Sequence, residues 1–208
     1  MYKDDYLVHF EIADPRLFNV MRDHGPFRLR QERNRFKMLV RSIVGQQLSV
    51  MAARTIFQRF ESALDGPITA EAVSRRDVST LRQYGISQKK AEYVLDLAMK
   101  VADREIDLAK IGRLSDEEII AQLVSVRGIG RWTAQMFLIF ALGRKNVFPH
   151  EDLGVRSALK TMYALSELPT REFTLEVASR WTPYASIGSW YCWRMIDAPR
   201  ESKSRQKS

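Results

Sequence analysis

Leu123-Val124-Ser125-Val126-Arg127-Gly128-Ile129-Gly130-Arg131-Trp132-Thr133-Ala134 is the stretch that decides the fold. Two glycines flank one aliphatic residue between two segments of helical periodicity. Glycine permits positive φ and leaves the backbone uncovered, so Gly128 and Gly130 predict a tight hairpin. Ile129 is expected to turn inward and pin it to a core. The N–H groups at the start of the following helix form a concavity suited to a phosphate. Arg127 and Arg131 flank that concavity and add positive charge. Such a contact positions a protein on a nucleic-acid backbone without reading its sequence. An ordinary turn stopped by glycine would use the same residues for architecture alone.

Outward from the hairpin the pattern is helical nearly throughout. Ser115-Asp116-Glu117-Glu118 fits a capping box before Ile119, Ile120 and Leu123. A helix from Arg131 to about Leu142 follows. Upstream, Asp14-Pro15 opens a short helix, and Phe36, Leu39, Val40, Ile43 and Val44 recur at helical spacing up to Gly45. Ser49 reads as the N-cap of a helix to about Leu64, broken at Gly66-Pro67. Val78, Leu81 and Tyr84 mark a short helix, and Ser87 caps a longer one with Ala91, Val94, Leu95, Ala98 and Val101 on one face. Three more are expected near Leu153–Leu165, Thr170–Trp181 and Ser186–Ile196. No strand hairpin and no repeat period is visible. The reading is all-α, about ten helices with short connections.

The 208 residues fit one domain, or two small lobes sharing a core. With 45% hydrophobic and 28% charged residues the chain is globular and buries a real core. A single cysteine, Cys192, excludes a disulfide framework, a Cys-based zinc site and a cysteine-ligated iron–sulfur cluster. No apolar run is long enough to span a membrane, Met1-Tyr2-Lys3-Asp4-Asp5 does not read as a signal peptide, and a cytoplasmic location is expected. The net charge of +8 is concentrated. Arg28, Arg30, Arg33, Arg35, Lys37 and Arg41 stand against Glu32 alone, and Arg194, Arg200, Lys203, Arg205 and Lys207 against Asp197 and Glu201. Each cluster taken alone is read as a solvated surface as readily as a grip on a polyanion.

Several segments in order carry a resemblance. They are Ser42-Ile43-Val44-Gly45-Gln46-Gln47-Leu48-Ser49, then Gly85-Ile86-Ser87-Gln88-Lys89-Lys90-Ala91, then the hairpin. Val147-Phe148-Pro149-His150-Glu151-Asp152-Leu153-Gly154-Val155-Arg156 follows, and the series ends in the tryptophan-rich stretch from Arg180-Trp181-Thr182-Pro183-Tyr184 to Trp193-Arg194. From about Asp14 to Arg194 the chain resembles the helix-hairpin-helix DNA glycosylase superfamily, and within it the 3-methyladenine DNA glycosylase II family. The resemblance implies two helical lobes with the active site in the cleft between them. A central lobe of about 34–148 would include the hairpin 123–134, and a second would combine about 1–33 with 149–199. Residues 200–208 are expected as a disordered basic tail. Relatives with an extra N-terminal β-rich domain are longer, and none is expected in this length.

The family places its catalytic carboxylate about one helix and one loop after the hairpin. Here that position is Asp152, twenty residues after Trp132. Glu151 is adjacent, and periodicity alone does not choose between them; either could simply cap the helix beginning at Leu153. Lyase relatives carry a lysine where this chain has Trp132, which implies a monofunctional enzyme. A base is cut only after it leaves the stack. Trp132 and Trp193 are the candidates to stack on it, with Tyr191 and Tyr184 weaker and Phe18 and Phe27 also possible liners. Trp181 and Trp190 are expected in the core, as is Cys192. The wedge that fills the vacated space is expected at Gln47, followed by Leu48; some relatives carry an aliphatic residue at that position. Gln46 and Gln47 could equally just close a turn. Phosphate contacts are expected from Arg127, Gly128, Ile129, Gly130, Arg131 and Thr133. The family also implies a monovalent cation on the carbonyls of Val124, Val126 and Ile129. His9, His24 and His150 show no ligand spacing, and no cofactor or catalytic metal is expected.

These features imply an enzyme that hydrolyses the N-glycosidic bond of alkylated purines, 3-methyladenine and 7-methylguanine, in duplex DNA. It would leave an abasic site and act as a monomer without a membrane partner. A helix-hairpin-helix module that only binds DNA would explain the glycines and the charge but leave Asp152 incidental. A glycosylase/lyase for oxidised bases would need the lysine that Trp132 replaces.

Overall fold

Local signals place most helix starts. The computed structural model describes residues 5–64 and 66–205, with 198–205 as backbone alone, and the described residues contain helices and no strand. The α-helices are α1 (Asp5–Ala13), α2 (Pro15–His24), α3 (Arg35–Gly45), α4 (Val50–Ser62), α5 (Ala70–Ser74) and α6 (Val78–Gln83). They continue as α7 (Gln88–Ala102), α8 (Asp116–Val124), α9 (Arg131–Phe140), α10 (Leu153–Met162), α11 (Arg171–Trp181) and α12 (Ala185–Arg205). A 3₁₀ turn spans Ile111–Arg113. Asp14, Ser49 and Ser87 each accept the backbone N–H three residues on. At α8 both halves of the capping box form: Ser115 Oγ accepts Glu118 N–H at 3.4 Å, and Glu118 accepts Ser115 N–H at 2.8 Å. A cap of this kind is worth ~1 kcal/mol.

The differences from the sequence reading have local causes. Helix α1 carries Tyr6 and Phe10 inward but Val8 and Ile12 outward, at 61% and 81% exposure, so no apolar stripe announces it. At five residues α5 is too short for periodicity to register. On α7, Leu97 is fully buried, whereas Leu95 and Val101 are only half-buried. Gly45 is the last residue of α3 and not its stop; the reversal falls at Gln47, with φ 57°. The residues expected as a disordered tail continue α12 to Arg205, and 206–208, with Lys207 of the basic cluster, lie outside the described residues.

Two compact units divide the chain: Gln31–Leu142, and Met1–Arg30 with Gly143–Ser208. In the first, Leu39, Val40, Ile43 and Val44 of α3 are fully buried, as are Leu97, Ile119, Leu123 and Phe137. In the second, Phe10, Leu17, Val155, Leu159, Val177, Trp181 and Tyr191 form the core. Buried Asp14 sits in that core, accepting Trp181 Nε1–H at 2.7 Å and the Tyr163 hydroxyl at 2.5 Å. A carboxylate so enclosed must be hydrogen-bonded to persist. Cys192 is 1% exposed, and burial pushes its thiol up. Among the described residues no helix is long and apolar enough to cross a membrane.

Candidate functional site

The hairpin in the Gln31–Leu142 unit joins α8 to α9. Ile129 is 3% exposed, turned into the core as expected, and its N–H closes the turn onto Val126 O at 3.1 Å. The two glycines differ. Gly128 has φ 82°, and a Cβ there would meet the Tyr93 ring at 2.0 Å, so it is fixed by both backbone and packing. Gly130 is extended, with φ −95° and ψ 173°, and its Cβ would meet nothing. It caps α9 without a side-chain hydrogen bond and leaves that helix start uncovered. Both hairpin arginines face acids. Arg127 Nε lies 3.5 Å from Asp96, which also accepts the Arg127 N–H at 2.8 Å, and Arg131 forks onto Glu117. That fork holds the Glu117 carboxyl below the usual carboxylate range. Much of the expected side-chain charge at the hairpin is therefore offset. Thr133 is 5% exposed, so its hydroxyl is not offered at the surface.

In the same unit α3 runs into the Gly45–Leu48 turn. Gln47 and Leu48 are exposed, and Val50 and Met51 at the start of α4 are 84% and 74% exposed. Gln46 points back: its Nε2 donates to Gly128 O at 2.7 Å, tying the turn to the hairpin. Lys90 of α7 donates from Nζ to Val44 O at 2.7 Å and Gln46 O at 2.6 Å. Trp132 is 44% exposed and shares a cavity of about 490 Å³ with Arg41, Ser42, Gln46, Gln47 and Met136. The structure thus brings together the candidate wedge and one candidate stacking ring.

The candidate acid belongs to the other unit. Asp152 is 9% exposed, whereas the Glu151 side chain is 74% exposed, with His150 Nε2 3.7 Å away. Asp152 Oδ1 accepts Val155 N–H at 2.8 Å, capping α10, and Trp193 Nε1–H at 2.9 Å. Two donors on one oxygen fix the orientation of the carboxylate. Asp152, Gly154, Ser157, Trp193 and Ile196 line a cavity of about 350 Å³. A Cβ on Gly154 would lie 3.0 Å from the Trp193 ring and 3.1 Å from Asp152 Oδ1, so the glycine leaves the pair its room.

Other expectations are corrected or filled in. Tyr191 is 0% exposed and donates its hydroxyl to Gly25 O at 2.8 Å, so its ring offers no face to a base. Trp181 lies in the core as expected, whereas Trp190 is only partly buried and packs against that core, on Phe27 and Tyr191. His9 bonds to Arg180 O at 3.0 Å. In the first basic cluster Arg35 bonds to Leu108 O and Ala109 O, Lys37 pairs with Glu61, and Arg41 lies 3.9 Å from Glu32. Arg28, Arg30 and Arg33 are exposed. No cluster of three or more His, Cys, Asp or Glu suits a metal among the described residues. The carbonyls of Val124, Val126 and Ile129 remain a chemically suitable oxygen set: Val126 O already accepts one N–H, but a carbonyl has two lone pairs. Sequence reasoning missed Lys90, Tyr93, Asp96 and Gly154. Only Gly154 carried a signal, as a glycine inside a helix with a packing reason for its place.

Helices throughout the described residues, a Gly-Ile-Gly hairpin and, one helix and one loop beyond it, a buried carboxylate that caps the next helix fit the helix-hairpin-helix class of fold. A family model described as HhH-GPD superfamily base excision DNA repair protein matches residues 40–183, and the chain belongs to that superfamily. It is 32% identical over 182 residues to DNA-3-methyladenine glycosylase 1 of Schizosaccharomyces pombe, covering 86% of this chain and 80% of the relative. The crystal structure of a DNA-3-methyladenine glycosidase from Bacillus halodurans superposes with TM-score 0.86 at 30% identity, over 96% of this chain and 94% of that one. The S. pombe 3-methyladenine DNA glycosylase in complex with abasic DNA gives TM-score 0.79 at 30% identity, over 91% and 95%. The resemblance carried by the sequence segments is borne out.

Proposed function

We propose that this protein is a monofunctional DNA glycosylase that releases 3-methyladenine and 7-methylguanine from duplex DNA and leaves an abasic site. The observation that carries the reading is Asp152: a buried carboxylate held by Val155 and Trp193 beside a cavity, in a chain of this superfamily. A purine alkylated on its ring carries positive charge. When the C1′–N bond breaks, its electron pair neutralises the base, and positive charge passes to the sugar. Asp152 stabilises that cation electrostatically. Water then adds at C1′, its oxygen forming the new bond and its proton passing to the carboxylate or solvent.

The remaining roles follow from residue chemistry. The electron-rich rings of Trp132 and Trp193 suit a cationic purine. Gln47 and Leu48, exposed at a turn, suit the space a flipped base leaves. The hairpin backbone at Gly128, Ile129, Gly130 and Thr133, with Arg127 and Arg131, suits a phosphate, and a monovalent cation on Val124, Val126 and Ile129 would add positive charge there. Trp132 has no amine to attack the sugar, which supports hydrolysis over lyase chemistry. A single buried cysteine fits a reducing cytoplasm, and we take the enzyme to act as a monomer.

The test is incubation with methylated DNA, following free bases by chromatography, with Asp152→Asn beside the wild type. Asparagine keeps the helix cap, so it removes charge with little effect on folding. Wild-type release of both purines, lost in the variant, is expected. Binding without release would leave a DNA-binding module, and a borohydride-trapped adduct would reveal a lyase.

A further inference from the structure

We propose that Lys90 is the positioning residue of the wedge turn, holding Gln47 in its reversed conformation and at a fixed spacing from the hairpin. This rests on the glycosylase reading and deepens it. The last carbonyls of α3 have no helical partner, and a cation is favoured there. Lys90 supplies it, bridging Val44 O at 2.7 Å and Gln46 O at 2.6 Å. Between and beyond these carbonyls lies the turn itself, with Leu48 N–H on Gly45 O at 3.2 Å. Gln47 then has φ 57°, a region in which an L side chain is strained. A turn containing that conformation persists only where neighbours over-determine it.

The same helix face reaches the hairpin. Residues 90, 93 and 96 of α7 recur every three positions and so share one side. The Tyr93 ring packs where a Gly128 side chain would be, and Asp96 accepts the Arg127 N–H at 2.8 Å. Gln46 closes the loop by donating to Gly128 O. One face of α7 therefore sets both the wedge turn and the phosphate-facing hairpin, so the two are held in register. Partial burial holds the Lys90 ammonium below the usual lysine range.

The experiment uses the full chain and a duplex carrying one 7-methylguanine, with 2-aminopurine next to the lesion to report unstacking. Lys90→Met keeps the stem and removes the donors. It is expected to lower the single-turnover rate at saturating enzyme roughly 10- to 100-fold, the scale of an ångström misplacement. The fluorescence change should shrink with it, while affinity for undamaged duplex stays within about threefold, because phosphate contacts dominate it. If Lys90 acts through Gln47, the losses of Lys90→Met and Gln47→Ala overlap, and the double variant is no slower than the slower single one. A wild-type rate in Lys90→Met, or losses that multiply in the double variant, overturns the proposal. If Lys90→Met does not fold, Lys90→Gln, whose shorter amide cannot bridge both carbonyls, is read in the same way. A wild type that releases no base refutes the glycosylase reading instead.

Discussion

The hairpin and the acid site build function from different material. In the Gln31–Leu142 unit the groups proposed to meet a phosphate are mainly backbone, at Gly128 and Gly130, while the Arg127 and Arg131 side chains are turned to Asp96 and Glu117. In the other unit the proposed reactive group is one side chain, Asp152, held by Val155 three residues on and Trp193 forty-one residues on. The backbone site is written in local sequence at Gly128, where only glycine gives the conformation and the clearance. A side-chain site is written in partners that the fold brings from afar. Damage to the first should therefore act through stability and grip, and damage to the second through rate.

The largest effect is expected at Asp152. Asp152→Asn and Asp152→Ala should both lose base release by roughly 100- to 1000-fold, the scale of removing one preorganised electrostatic group. Only the alanine should also lower stability, by ~1 kcal/mol, through the lost α10 cap. Equal denaturation midpoints for the two variants would break the separation between capping and chemistry.

Gly128→Ala comes next. A Cβ 2.0 Å from the Tyr93 ring, on a residue at φ 82°, should destabilise the fold by about 2–4 kcal/mol, combining overpacking with a left-handed penalty. Gly130→Ala sharpens the contrast: it meets open space and should cost only ~1 kcal/mol, from a poorer N-cap, while weakening duplex binding. Urea unfolding and a fluorescence binding titration, run on both variants, check the pair. Similar losses of stability would show that the two glycines do the same work.

The smallest effect lies at Glu117. Its carboxyl is held below the usual range by Arg131, so its contribution is full above the ordinary carboxylate pKa and disappears as pH falls through the lowered value. Exposure and screening keep it at or under ~1 kcal/mol. The difference in melting temperature between wild type and Glu117→Gln should therefore close on acidification. The variant also removes the Glu117 carboxylate that faces Arg131, and tighter, more salt-sensitive duplex binding is expected from it.

The same contrast explains what the sequence disclosed. The caps at Asp14, Ser49, Ser87 and Ser115, the inward Ile129 and the stripe of α3 were all legible, because each depends on neighbours three or four residues away. Asp152 was legible as a position only through the family resemblance; periodicity left Glu151 equal to it, and the difference in burial is a tertiary fact. Tyr191 was misjudged for the same reason, since nothing local distinguishes a pocket ring from a core ring. Lys90 stood in a segment of the resemblance but carried no role, because its carbonyl partners lie 44 and 46 residues away. The strain at Gln47 was hidden behind Gly45, the residue that composition favours for a reversal.

The central claim is that Asp152 drives hydrolytic release of an alkylated purine, and it is tested most directly by single-turnover kinetics on a duplex with one 7-methylguanine. Free 7-methylguanine and an intact abasic strand are expected from the wild type, with both absent on the same timescale from Asp152→Asn. Full release by Asp152→Asn, or strand binding by the wild type with no free base, would contradict it.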